Sequence, residues 1–278
     1  MTRFIRRLAI LGMMVVTALI LQGCTVDGGD DVIIVDDSEP AAPRGVYSIT
    51  GDEEVTVIWY PNQERDLDGY YIYRALEGSD EYVEIGVVDA DSDSFVDEDV
   101  RNGITYFYAV SAFDTKGNES ELSPEIEDTP RPAGRNVKLE DFIVEPNRSG
   151  FDFDHPERGA QPFDRSGIDM YFGVGLYNDE LYVPRIYSDN EDVKMQDLGY
   201  TDSMDDIDVS PTEGFIDTFM EAIIGHTYAF FTPNGNFAKI RVTDIQITTN
   251  DDVEEAWIVF DWAFQLQEGN PELAPAKN

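Results

Sequence analysis

Between positions 44 and 128 polarity alternates residue by residue, and this period of two constrains the fold more than any other feature of the chain. Val55, Val57 and Trp59 alternate with Thr56 and Ile58, and Tyr106, Tyr108, Val110 and Ala112 recur at every second position of segment 104–113. Segments 69–74 and 82–88 form two further runs. Successive side chains of a strand point to opposite faces, so these runs suit half-buried strands rather than a helix stripe. Turn signals such as Asn102-Gly103 separate them about every ten residues, the spacing of an all-β sandwich.

Particular residues sharpen this expectation. Trp59 stands on the second strand, and Ser94-Phe95-Val96-Asp97 leads into the penultimate one. Gly103-Ile104-Thr105-Tyr106-Phe107-Tyr108-Ala109-Val110-Ser111-Ala112 follows, then Asp114-Thr115-Lys116-Gly117-Asn118-Glu119-Ser120. Together they resemble a fibronectin type III domain over residues 44–129. The resemblance implies a core indole at Trp59 and a tyrosine corner at Tyr106, whose hydroxyl bonds back to upstream backbone.

Thr129-Pro130-Arg131-Pro132-Ala133-Gly134 reads as a stiff joint, so residues 130–136 form a Pro-rich linker and residues 137–278 a second domain. That half is also β-rich. A hairpin is expected around Asn178-Asp179, a strand over 227–231, a turn at Pro233-Asn234-Gly235-Asn236, and strands over 237–247 and 256–267. In the last of these Trp257, Val259 and either Asp261 or Trp262 decide the register. Apolar residues at 216, 219, 220 and 223, with Gly225 as a stop, predict one helix over 216–224. The fold class is therefore all-β: a fibronectin type III (immunoglobulin-like) sandwich followed by a second β-rich domain.

The chain opens with Arg3, Arg6 and Arg7 before an apolar run over 8–21, the layout of a secretory signal. The run is shorter than the roughly 20 apolar residues that span a bilayer. It ends in Leu21-Gln22-Gly23-Cys24, which resembles the lipobox of bacterial lipoproteins, although Gln22 is bulkier than the family's usual residue. The resemblance implies cleavage after residue 23 and acylation of Cys24 at both its thiol and its new amino group. Thr25 follows, and by analogy with enterobacterial lipoproteins its not being aspartate favours the outer membrane. Cys24 is the only cysteine, so an intramolecular disulfide and a thiolate metal cluster are excluded. Residues 24–43 read as an acidic flexible tether, closed by Pro40 and Pro43, with one short apolar run, Val32-Ile33-Ile34-Val35.

The chain holds 57 acidic and 19 basic residues, a net charge of -38, and losing the three arginines of the signal takes this to -41. Phosphates would be repelled, so nucleic acid is excluded as a partner. Anionic headgroups would be repelled too, which leaves membrane attachment to the lipid. The carboxylates are spread along the whole chain, as on a generally solvating acidic surface.

Several constellations invite a functional reading. Asp89-Ala90-Asp91-Ser92-Asp93-Ser94 begins like a calcium loop but has Ser94 at the sixth position and Val100 at the twelfth, so it reads as a sandwich turn. Tyr70, Tyr71 and Tyr73 must fall on both faces of their strand, and cross-strand packing is the expected role of the outward rings. Asp189-Asn190-Glu191-Asp192 and the acidic run 202–208 are the best metal candidates, yet neither has a ligand loop of recognised spacing. The last strands, around Gly225-His226-Thr227-Tyr228 and Ala238-Lys239-Ile240-Arg241-Val242, are similar to those of β-rich domains in bacterial lipoproteins. They also resemble, faintly, HmuY-like haem-binding lipoproteins, whose haem is held by two axial side chains. His155 and His226 are the histidines available, and neither matches that family's ligands. A Gly-x-Ser-x-Gly elbow, a phosphate loop and a zinc-spaced histidine pair are absent from the sequence.

The expectation is a non-catalytic, lipid-anchored envelope protein that binds a protein or glycan, with no cofactor, no metal and Cys24 as the modified residue. Two alternatives of other classes stand beside it. One is haem-type ligand capture by the second domain; the other is a glycan-active enzyme for which the sandwich is a spacer.

Overall fold

The computed structural model describes residues 38–79, 81–177, 181–216, 218–250 and 252–274. The signal, Cys24, the tether as far as residue 37 and the turn Asn178-Asp179 lie outside the described residues.

Seven strands build the first sandwich: β1 (Arg44–Thr50), β2 (Val55–Tyr60), β3 (Leu67–Leu76), β4 (Val83–Asp89), β5 (Ser94–Asp97), β6 (Tyr106–Asp114) and β7 (Ile126–Asp128). They form a three-stranded sheet in the order β1-β2-β5 and a four-stranded sheet in the order β4-β3-β6-β7, all pairs antiparallel. The alternating residues do what their period demands. Val55, Val57 and Trp59 from one sheet meet Tyr70, Ile72, Tyr108 and Val110 from the other in a closed core. Burying each such side chain contributes ~1.5–3 kcal/mol. The Trp59 ring lies 5.1 Å from that of Tyr70, and the Tyr106 hydroxyl accepts from the Arg101 backbone N–H at 3.0 Å, which makes the tyrosine corner. Tyr71 and Tyr73 face outward: Tyr71 packs on Phe113 with centroids 4.4 Å apart, and the Tyr73 hydroxyl donates to Glu119. Asp89-Ala90-Asp91-Ser92-Asp93 is the turn from β4 to β5, where Asp93 offers its carbonyl to the Trp59 N–H.

The second sandwich is also two sheets. Strands β8 (Ala133–Glu140), β9 (Gly150–Phe151), β10 (Met170–Tyr177), β11 (Leu181–Tyr187) and β12 (Lys194–Tyr200) precede β13 (Phe219–Glu221), β14 (His226–Phe231), β15 (Phe237–Asn250) and β16 (Asp252–Phe264). A five-stranded sheet runs β12-β14-β15-β16-β8 and a four-stranded one β13-β11-β10-β9. Their facing sides share one core that includes Leu139, Phe172, Ile186, Phe230, Ile258 and Phe260. In β16 the even positions from Ala256 to Phe264 point inward, so Trp262 belongs to the core. Trp257 takes the outer face, where the Lys138 ammonium lies 4.7 Å from its ring.

Two sequence expectations need correction. Segment 216–224 is not a helix: Ile216 exchanges both backbone hydrogen bonds with Met195, and β13 pairs with β11. Met220 and Ala222 turn inward with a period of two, and neighbouring strands supply the backbone partners that a helix would have supplied internally. The joint is also shorter than residues 130–136, because β8 begins at Ala133 and pairs with Ala263 of β16.

Candidate binding cleft at the junction of the sandwiches

The joint is not a free hinge. Thr129, Pro130 and Arg131 are buried, and Pro132 is half-buried. The Arg131 N–H donates to the Gly51 carbonyl of the first sandwich at 3.1 Å, and the Phe264 N–H of the second donates to the Pro132 carbonyl at 2.9 Å. Across the interface the Gln267 amide donates to the Gly103 carbonyl and the Thr105 hydroxyl, at 3.0 and 3.1 Å. Gly103 has φ +79°, and a Cβ there would meet the Leu266 side chain at 3.1 Å. Positive φ and close approach both select glycine at this position.

Two cavities flank the joint, one of about 290 Å3 and one of about 460 Å3, and Thr50 and Arg131 line both. The smaller is walled by Ser48, Phe107, Ile126 and Asp128 from the first sandwich and by Gln265, Glu272 and Ala274 from the second. Arg131 and Asp128 are only 5% and 4% exposed. The Thr50 hydroxyl donates to Asp128 Oδ1 at 2.6 Å, whereas Asp128 Oδ2 and Arg131 Nε are buried without a hydrogen-bond partner. Burial pulls the Arg131 guanidinium down to about 10, against the opposing charges of Asp128, Asp205 and Glu272. Burial likewise pushes the Asp128 carboxyl up, with the Thr50 hydroxyl opposing.

The larger cavity holds Arg135, Lys239 and Arg241 opposite Asp52, Asp202, Asp205 and Asp261. Lys239 is fully buried on β15 and donates to the carbonyls of Met204 and Ile207, at 2.6 and 2.8 Å. Arg241 grips the Thr201 carbonyl with Nε and Nη2. Lys239 thus holds the acidic run 202–208 by its backbone, and Arg241 holds the residue just before it. Within that run the Asp206 carboxylate accepts from the N–H groups of Asp202 and Ser203, so it caps a short 3-10 turn. The other acidic cluster is also engaged locally, Asp189 accepting from the Tyr171 hydroxyl at 2.8 Å. Among the described residues no group of three or more His, Cys, Asp or Glu side chains is arranged to hold a metal ion.

The two histidines line neither cavity. His155 precedes a 3-10 turn between β9 and β10, with Nδ1 3.6 Å from Glu157, and His226 opens β14 with Nδ1 3.0 Å from Asp197. The sequence reading missed Arg131 and Asp128 as cleft residues. The one available signal was an arginine isolated between two prolines in a strongly acidic chain.

No family model matches the chain. Over 96 residues, 33% of its length, it is 35% identical to an amylopullulanase of Thermoanaerobacterium saccharolyticum and to an amylopullulanase of Thermoanaerobacterium thermosulfurigenes. The match spans only 7% and 5% of those two proteins. Among solved structures, a Fn3-like protein from Clostridium thermocellum is 26% identical with a TM-score of 0.29, covering 32% of this chain and 92% of that one. By its strand order and its tyrosine corner, the first sandwich is a fibronectin type III-like domain.

Proposed function

We propose that this is a non-catalytic lipoprotein of the cell envelope, anchored through Cys24, whose joined sandwiches bind a glycan and hold it away from the membrane. The observation that carries this reading is the locked junction: a spacer needs stiffness, and a buried joint hydrogen-bonded to both sandwiches supplies it. The glycan is favoured over a protein ligand because the junction cavity, at about 290 Å3, suits a small group and not a broad surface. The sequence match to proteins named amylopullulanase points the same way.

Vesicle flotation tests anchor and ligand together. The chain produced in a lipoprotein-processing host is expected to float with vesicles and to carry fluorescent pullulan upward. Cys24→Ala should leave both at the bottom of the gradient. Flotation of the Cys24→Ala chain would refute the anchor, and vesicles that float carrying neither pullulan nor, in a parallel run, labelled peptidoglycan fragments would refute the glycan.

A further inference from the structure

On the outer face of the sheet β13-β11-β10-β9, two polar groups converge over a gap in β10. Phe172 and Val174 point into the core, so Gly173 and Gly175 face outward. Phe142 fills the gap at Gly173, where a Cβ would meet its ring at 2.3 Å. At Gly175 a Cβ would lie 2.4 Å from Arg185 Nη1 and 2.9 Å from the Tyr187 hydroxyl, so these two groups of β11 lean over the glycine together. Both side chains are held from behind. Arg185 Nη2 donates to the Leu176 carbonyl at 3.4 Å, and Arg185 Cζ lies 4.5 Å from the centre of the Phe219 ring. The Tyr187 ring stacks on Tyr171 at 5.2 Å and meets Phe219 at 5.8 Å. Among the described residues neither Arg185 Nη1 nor the Tyr187 hydroxyl has a hydrogen-bond partner, and no carboxylate pairs with the guanidinium. Neither atom is sealed from solvent, and Phe219 beside them is 43% exposed.

Two pre-positioned hydrogen-bonding groups beside an exposed ring select a ligand with both an apolar face and hydroxyls. A hydroxyl can accept from the Arg185 Nη1–H and also exchange a hydrogen bond with the Tyr187 hydroxyl, because each hydroxyl both donates and accepts. A cation would be repelled by Arg185. An anion would be drawn to Arg185, but the exposed Glu221 stands directly across from it on β13, and the whole chain carries a net charge of -38. The local balance of one guanidinium and one carboxylate therefore matches a neutral ligand. We propose that the outer sheet face around Gly175 binds a neutral glycan, one sugar ring resting on Phe219 while a hydroxyl bonds to Arg185 Nη1 and the Tyr187 hydroxyl. The assignment rests on the glycan reading above and gives the chain a contact surface outside the junction.

Calorimetric titration of the full chain, held in a detergent without a sugar headgroup, tests this. Maltotetraose, cellotetraose, chitotetraose and tetragalacturonate are the probes. At least one of the three neutral sugars is expected to bind, and more tightly than tetragalacturonate. Arg185→Gln should weaken that binding about tenfold or more, and Tyr187→Phe, which removes one oxygen and keeps the ring packing, about threefold or more. Gly175→Ala puts a methyl group where both side chains now lean and should also weaken it about tenfold. The phenylalanine variant keeps the test decisive if another variant fails to fold. A neutral sugar whose binding changes less than about twofold in all the folded variants would overturn the site and leave glycan binding standing elsewhere on the molecule. Tetragalacturonate binding more tightly than every neutral sugar, and lost in Arg185→Gln, would overturn the neutral class. If none of the four binds, the site falls, and flotation with pullulan then reads the glycan proposal separately.

Discussion

Asp97→Ala is expected to destabilise the first sandwich by ~3–5 kcal/mol, the usual cost of breaking a buried ion pair by removing one partner. Asp97 lies at the end of β5, almost wholly buried, and receives Arg74 Nη1 on both oxygens, at 3.0 and 2.7 Å. The Tyr108 hydroxyl in the core donates to the same carboxylate at 3.0 Å, and the Asp99 N–H donates at 3.1 Å. Burial, and then the charge of Asp97, hold the Tyr108 proton far above its ordinary pKa. Removing the carboxylate therefore leaves the phenol without its acceptor and the guanidinium with only its Asp99 contacts. Asp97→Asn keeps the shape and some of the bonds, so its loss should be smaller. Urea unfolding followed by Trp59 fluorescence, in a chain with Trp257 and Trp262 changed to Phe, isolates the first sandwich. A loss below about 1 kcal/mol, the level of an exposed pair, would show that this network does not hold the two sheets together.

The second large effect is a dependence of stability on pH. Asp169 is buried in the second sandwich, where one oxygen accepts from the Phe153 N–H at 2.8 Å. Burial, aided by the charges of Asp152 and Asp154, pushes its carboxyl up to about 7. Below about pH 4 the group is protonated folded or unfolded and contributes no difference. Between about pH 4 and 7 the unfolded chain releases the proton while the folded chain keeps it, so stability falls, by up to ~4 kcal/mol in total. Above about pH 7 both states are ionised and the penalty is constant. Asp169→Asn can still accept from Phe153 and carries no charge to bury. The variant is expected to be the more stable at pH 8, by up to ~4 kcal/mol, and to lose much of the decline between pH 4 and 7. Urea midpoints at pH 4, 5, 6, 7 and 8 for both chains give the comparison. Parallel curves would mean that Asp169 is already ionised in the folded chain at pH 5.

What could be read from sequence follows where the backbone bonds and the burial come from. Strands β2, β3 and β6 alternate because one face is dry and the other at least partly wet, so their residues carry the pattern themselves. The corner at Tyr106 is a local feature and equally legible. Segment 216–224 carries two patterns at once, 216-219-220-223 for a helix and 220-222 for a strand. The backbone of Met195 and the edge of β11, both distant in sequence, decide between them. The start of β8, Ala133-Gly134-Arg135-Asn136, has no apolar alternation, and β16 makes it a strand. Lys239 reads as a solvated residue in an alternating run. It is buried only because the acidic run 202–208 folds over it and offers carbonyls. Arg131 is the same case at the junction, for Pro130 and Pro132 announce a joint but the cover over the arginine comes from both sandwiches.

Everything proposed for the cleft requires that the joint be as ordered as the domains it connects. Native-state amide exchange at Arg131 and Phe264 tests this most directly, since their N–H groups tie the joint to either side. Both are expected to exchange as slowly as core strand amides such as Val110, because opening either bond would separate the joint from one of the sandwiches. Exchange at the rate of a surface loop would contradict the locked junction, and with it the preformed cavity around Arg131 and Asp128.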